Sequence, residues 1–333
     1  MKILRKILLP FSVLYGLILQ LRNLAYDYNW FKSTQFQLPI ICVGNLSMGG
    51  TGKSPTIEYL IRLLENKYKV ATLSRGYGRN TSGFLQVKTT HSASEVGDEP
   101  LQFKNKFPDI AVAVDEQRVN GIQQLLQTQN PDVILLDDAF QHRKVKAGFN
   151  ILLSVYDDLY VNDWVLPAGN LREPRSGAKR ADIIIVTKCP ANLPEKEQER
   201  IKHKLKLQSH QKLFFSGISY QEKLFSKESN RLLTELNKYT LVTGIANPKP
   251  LVKFLNQQNR PQKHLAFKDH HNFTADEIEQ LNQEDLILTT EKDFVRLKSS
   301  LPSTKLFYIP IEMKILNDAQ AFKDTILNYV SSH

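Results

Sequence analysis

Short continuous apolar runs and stretches of helical spacing take turns along this chain. Residues 39–43, 69–73, 110–114, 133–136, 149–155 and 182–187 are too short for typical helices and carry few polar interruptions. Such runs predict strands buried on both faces. Between them, 57–64 and 116–129 have the spacing of amphipathic helices, whereas 90–100 is polar and reads as a loop turning at 96–100. Strands alternating with helices predict an α/β fold, a mostly parallel sheet flanked by helices. Past a charged helix at 194–207 the texture changes. Shorter strands are expected at 213–215, 239–242, 264–267, 286–288 and 306–309, with helices near 248–257, 275–283 and 319–330. This predicts a second, smaller α/β domain over 209–333 after a larger one over 29–208.

The first 28 residues stand apart. Lys2, Arg5 and Lys6 precede an apolar stretch at 7–19, and Arg22 follows. A bilayer-spanning helix needs roughly 20 apolar residues, and no small-x-small cleavage site follows as in a signal peptide. The pattern predicts a helix lying in the plane of the cytoplasmic membrane face; an ordinary buried first helix kinked at Pro10 is the alternative.

Composition adds two constraints. With 333 residues, 41% of them hydrophobic, the chain can bury a large core. The formal charge of +10 favours anionic partners, but no basic-aromatic stripe or RNA-recognition signature is present, so nucleic acid is not expected. The two cysteines, Cys42 and Cys189, lie in or beside apolar runs without metal-ligand spacing and read as buried free thiols.

The chemistry concentrates in Val43-Gly44-Asn45-Leu46-Ser47-Met48-Gly49-Gly50-Thr51-Gly52-Lys53-Ser54, between an apolar run and a helix. This is the arrangement of a phosphate-binding loop. Its glycines let the backbone N–H groups of Ser47 through Ser54 converge on a triphosphate at a helix N-terminus. Lys53 neutralises the outer phosphates and Ser54 offers a hydroxyl to Mg²⁺. The usual pattern has Gly where Ser47 stands. Asp137 and Asp138 end an apolar run and resemble the acidic strand end that holds Mg²⁺ opposite such a loop. Ligands of parallel sheets gather at the carboxyl ends of the strands, where Arg75, in Ser74-Arg75-Gly76-Tyr77-Gly78, and Asp98 also fall. Gln141 and His142 follow the acidic pair. Arg172, Glu173 and Arg175 lie in a Gly- and Pro-containing stretch whose arginines suit phosphate oxygens. In Thr187-Lys188-Cys189-Pro190, the Asn-Lys-x-Asp element of GTPases is departed from at both ends, which disfavours a guanine switch. Asp269-His270-His271 precedes Thr274, a candidate helix cap; an Asp-His pair facing the nucleotide cleft is the reading preferred over zinc.

Taken together, these segments resemble the tetraacyldisaccharide 4′-kinases of lipid A biosynthesis over nearly the whole chain. The likeness rests on Gly44-Asn45 with Gly49-Gly50-Thr51-Gly52-Lys53-Ser54-Pro55, Ser74-Arg75-Gly76-Tyr77-Gly78, Gly97-Asp98-Glu99-Pro100 and Asp137-Asp138-Ala139-Phe140-Gln141-His142. Leu166-Pro167-Ala168-Gly169 with Leu171-Arg172-Glu173-Pro174, Asp269-His270-His271-Asn272-Phe273-Thr274 and Thr290-Glu291-Lys292-Asp293 complete it. Ala139 stands where the family usually has Gly, and Asn170 where it has Pro or Gly. The resemblance implies ATP- and Mg²⁺-dependent phosphorylation of the 4′-hydroxyl of an acylated glucosamine disaccharide 1-phosphate, giving lipid IVA, at the cytoplasmic face of the bacterial inner membrane. It implies that Asp98 deprotonates the hydroxyl, supported by His270 beside Asp269, with Lys53 on the phosphates. Arg75, Gln141, His142, Arg172 and Glu173 are the expected acceptor contacts. Asp98 and His270 fall in different expected domains, so hinge closure is expected to assemble the site. The rival readings are a P-loop kinase of a soluble metabolite and a membrane-docked nucleotide switch.

Overall fold

Strand β1 (Ile40–Asn45) is buried along its whole length and occupies the middle of a nine-stranded sheet. The structure, a computed structural model, describes residues 5, 7–258, 262–269 and 271–333. On one side of β1 lie β5 (Val133–Asp137), β2 (Val70–Ser74) and β4 (Ala111–Val114), all parallel, with the short antiparallel β3 (Leu85–Gln86) at the edge. On the other side lie β6 (Phe149–Val155), β7 (Ile183–Thr187) and β8 (Lys212–Tyr220), also parallel, and then antiparallel β15 (Ile311–Ile315). Successive side chains of a strand point to opposite faces. Ile41, Val43, Leu135 and Ile151 therefore enter one core, and Ile40, Cys42, Leu136 and Leu152 the other. Both faces are covered by helices, so the strands read as unbroken apolar runs. The first core is closed by α2 (Lys53–Leu64), α4 (Asp98–Lys106) and α10 (Ala319–Ser331), the second by α5 (Arg118–Thr128) and α6 (Glu195–Leu205).

A six-stranded sheet forms the second lobe. Its parallel strands are β12 (Gln262–Ala266), β11 (Tyr239–Thr243), β13 (Ile287–Thr290) and β14 (Leu306–Ile309). Antiparallel β9 (Lys223–Phe225) and β10 (Asn230–Leu232) extend it. Helices α7 (Lys249–Gln257), α8 (Ala275–Asn282) and α9 (Glu291–Leu297) connect the strands.

The second sheet draws on 223–309, not on all of 209–333. The strand expected at 213–215 is part of β8, whose Phe214 and Phe215 enter the two cores of the first sheet. After the second sheet the chain returns: β15 pairs with β8 from Ile311 opposite Tyr220 to Ile315 opposite Ser216. Phe322, Ile326 and Val330 of α10 then pack on the first core. A long insertion between two paired strands leaves no single boundary near 208.

The stretch expected as loop at 90–100 is helical at two places, α3 (Ala93–Val96) and the start of α4. The cause was present in the sequence: Ser92 and Glu95 form a capping box, with Ser92 N donating to Glu95 Oε2 at 2.7 Å. Gly97, at φ 93°, makes the break between the helices.

The first helix, α1 (Leu9–Asp27), is inside out for a soluble protein. Its Ser12 and Asn23 are buried, whereas Phe11, Leu14, Leu17, Ile18 and Leu21 are 53–66% exposed. Pro10 occupies its first turn, where the missing N–H costs little, so it starts the helix rather than kinking it. Among the described residues no helix is long and apolar enough to cross a membrane.

Candidate functional site

The loop from Ser47 to Ser54 runs from the carboxyl end of β1 to the N-terminus of α2. Gly49 at φ 102° and Gly52 at φ 92° adopt left-handed backbone that side chains disfavour. Four neighbours fasten the loop. Asn45 Nδ2 donates to Thr51 Oγ1 at 2.7 Å. Thr187 Oγ1, at the end of β7, donates to Thr51 O at 2.7 Å, and Lys188 Nζ donates to Gly50 O at 2.6 Å. Met48 N donates to Asn170 O at 2.8 Å. The first turn of α2 carries no side-chain cap, so its N–H groups and partial positive charge remain for an anion.

Asp137 and Asp138 sit opposite, at the end of β5. Asp138 takes φ 49°, a conformation costly for a non-glycine residue and characteristic of functional sites. Its carboxylate lies 3.6 Å from Lys53 Nζ and accepts two bonds from Arg172 at 2.6 and 3.0 Å. Burial alone would raise its pKa; Arg172 and Lys53 hold it below the usual carboxylate range. Arg172 also bonds the Asn45 amide oxygen, tying the acidic turn to the phosphate loop. Asp137 is buried, and burial together with neighbouring Asp138 pushes it up to about 7. Its Oδ1 is buried with no hydrogen-bond partner among the described residues. An orphaned carboxylate oxygen next to a second carboxylate, across from Ser54, fits a hard divalent cation. Mg²⁺ takes oxygen ligands and usually shares them between one or two carboxylates and substrate phosphates.

The other expected contacts divide. Arg75 follows β2 and is exposed. His142 is driven down to about 4 by burial and by Arg118, Arg75 and Arg22, so its imidazole is neutral at physiological pH. Glu173 is 2% exposed, and its carboxylate is taken up by Arg180, Asn23 and Gln141. Gln141 also donates to Asn45 O at 2.8 Å. Glu173 and Gln141 thus brace the loops around the site rather than opening onto a ligand.

Asp98 opens α4, and its carboxylate meets the second lobe. Arg296 of α9 donates through Nε to Asp98 Oδ1 at 3.1 Å and through Nη2 to Oδ2. Lys292 pairs with Glu99 at 2.9 Å, and Lys106 bridges Glu58 and Glu291 at 2.7 Å each. Glu99 lies close enough to the acidic turn to raise Asp137, and Asp269 close enough to act on Lys292. The groups from the two sheets are therefore within electrostatic reach of one another. His270 lies outside the described residues. Its neighbour His271 bonds Glu277 at 2.8 Å and stacks on Phe267, a structural arrangement. Thr274 caps α8 in a box with Glu277.

Sequence reasoning assigned no site role to Asn45, Thr187, Lys188 or Arg296, although Asn45 was quoted within a motif. Asn45 and Arg296 lie within or just after motifs that were recognised, but their partners are remote in sequence. Lys188 was weighed only against a base-reading element, and it serves the phosphate loop instead.

Comparison with known proteins identifies the family. The family described as LpxK, tetraacyldisaccharide-1-P 4′-kinase, matches residues 4–331. A tetraacyldisaccharide 4′-kinase of Flavobacterium johnsoniae is 52% identical over 339 residues, covering 100% of this chain and 99% of that one. The protein of the same name from Parabacteroides distasonis is 43% identical, covering 98% and 95%. The crystal structure of LpxK from Aquifex aeolicus in complex with ATP superposes with a TM-score of 0.80 at 30% identity, covering 98% of this chain and 99% of that one.

Proposed function

Because this chain belongs to the tetraacyldisaccharide 4′-kinase family, we propose that the cleft between its two sheets is where phosphate passes from ATP to the acceptor sugar. The enzyme transfers the γ-phosphate of ATP to the 4′-hydroxyl of a tetraacyldisaccharide 1-phosphate, the lipid A precursor, giving lipid IVA. The full-length match to kinases of that name sets aside both the soluble-metabolite kinase and the nucleotide switch.

The observation that carries the site assignment is the grouping of Lys53, Arg172 and the Asp137–Asp138 pair around the phosphate loop. In this reading the backbone N–H groups of 47–54 receive the β- and γ-phosphates, and Lys53 and Arg172 offset the charge that builds on them. Ser54, Asp137 and Asp138 would hold Mg²⁺, whose charge would offset that of the phosphate oxygens. Transfer passes through a loose transition state, so positioned positive charge supplies most of the rate. Asp98 accepts the proton of the 4′-hydroxyl. Arg296 donates to both oxygens of that carboxylate and so fixes its orientation. His270 and Asp269 support Asp98 in this reading, as the family resemblance implies. Arg75 and His142, on the same strand-end surface, remain the proposed contacts to the acceptor.

The exposed apolar face of α1 docks the enzyme on the cytoplasmic face of the inner membrane. Each acyl CH₂ left in water costs about 0.8 kcal/mol, so the lipid substrate stays in the bilayer and the enzyme meets it there. Purified protein incubated with γ-labelled ATP, Mg²⁺ and the disaccharide 1-phosphate in detergent is expected to yield a bisphosphorylated lipid by mass spectrometry. Absence of that product overturns the acceptor assignment. Co-sedimentation with acidic phospholipid vesicles tests docking separately, and protein left wholly in the supernatant overturns it.

A further inference from the structure

The buried side of α1 reaches the phosphate loop through an unbroken series of polar contacts. Asn23 Nδ2 donates to Glu173 Oε2 at 3.1 Å, inside the protein. Gln141 Nε2 donates to the other oxygen, Oε1, at 2.9 Å and also to Asn45 O at 2.8 Å. Asn45 in turn holds Thr51 through its own amide at 2.7 Å. Arg180 balances the Glu173 charge at 2.8 and 2.9 Å. Two further contacts between this turn of α1 and the segment 141–143 run parallel to this path. Arg22 donates to Gln141 O at 3.1 Å, and Arg143 donates to Asn23 O at 2.7 Å.

A buried carboxylate with fixed partners orients whatever donates to it, and removing one donor leaves a desolvated lone pair. Nothing in the surface role of α1 requires a buried asparagine; an apolar residue would pack there at lower cost. We infer that Asn23 is a positioning residue for ATP: through Glu173 and Gln141 it sets the position of Asn45, and thereby the shape of the phosphate loop. The first helix thus has two independent faces, an outer one for lipid and an inner one for nucleotide. The inference rests on ATP occupying the Lys53 loop and stands apart from the docking of α1 on a membrane.

The test is an amide–carboxyl exchange. Asn23→Asp sets two carboxylates against each other, and about a tenfold weaker affinity for Mg²⁺-ATP is expected by calorimetry without acceptor, the effect of losing a hydrogen bond to a charged group. Asn23→Asp combined with Glu173→Gln restores one amide and one carboxylate to the pair, and affinity is expected to return to within about threefold of the parent. Unchanged affinity in the single variant, or a double variant weaker than either single one, overturns the proposal. If the variants do not fold, the parent chain decides by reciprocity, because sites coupled in one direction are coupled in the other. Addition of Mg²⁺ and a non-hydrolysable ATP analogue is expected to slow amide hydrogen exchange across residues 22–27; unaltered exchange there overturns the proposal.

Discussion

Arg296 grips the carboxylate of Asp98 from the opposite sheet, with two donors on its two oxygens. The residue assigned as proton acceptor is thereby aimed by a side chain 198 positions further along the chain. Because proton transfer depends on the alignment of the accepting oxygen, Asp98→Asn is expected to lower kcat by at least about a hundredfold while ATP affinity holds. Arg296→Ala is expected to lower kcat by roughly tenfold or more, with KM for ATP changing much less. Steady-state kinetics with ATP and acceptor varied separately make the distinction. Near-normal turnover in Asp98→Asn would remove it from the proton-accepting role.

On the other wall of the cleft, Lys53 lies 3.6 Å from Asp138 and faces the phosphate loop. Lys53→Ala is expected to lower kcat/KM for ATP by about a hundredfold or more, because a preorganised charge on the phosphates is lost. Chelation of divalent cations is expected to abolish turnover, and added Mg²⁺ to restore it. Asp137→Asn, which blunts the orphaned oxygen, is expected to raise the Mg²⁺ concentration needed for half-maximal rate. An unaltered Mg²⁺ requirement in that variant would detach Asp137 from the metal.

Between the lobes, Glu291 sits buried beside Glu58, with Lys106 bonded to both. Burial, and then the Glu58 charge, push Glu291 up to about 7. A carboxyl group raised above its unfolded value of about 4.3 binds more protons in the folded state. Its contribution to stability is complete at acid pH and is lost as pH rises through about 7. Glu291→Gln is expected to remove that loss. In urea titrations, the variant should gain on the order of 2 kcal/mol over the parent between pH 5 and pH 8. Parallel pH dependences for the two proteins would contradict the assignment.

Much of this was legible from residue order. The runs around Ile41, Ile134 and Ile184 are apolar at every position because both faces of the sheet are covered, and they appear as strands where expected. The phosphate loop and the acidic strand end were equally plain, since each is a local backbone device with a short signature. Glu173 shows what was not legible. A carboxylate next to Arg172 in a basic stretch reads as a ligand contact, and only its enclosure by Asn23, Gln141 and Arg180 reveals a brace. Strand β8 shows the same limit at the level of topology. Its nine residues carry no mark of which sheet they will join, because that depends on pairing with β7 before it and with β15 more than ninety residues later. The helix over Ala93–Val96 is a different case, since the Ser92–Glu95 cap was present in the sequence and outweighed by the polarity of its surroundings.

The pairing of β8 with β15 also bears on how the molecule is made. A ribosome delivers most of the first core's strands early, but Met313, Ile315, Phe322, Ile326 and Val330, which help cover that core, follow only after the inserted sheet. Until they emerge, α2 and α4 cover only part of that face, and the rest stays open to wrong partners. The inserted sheet, complete by Ile309, can settle before its host does. Vectorial synthesis thus favours an inverted order of maturation, in which the lobe begun second is finished first.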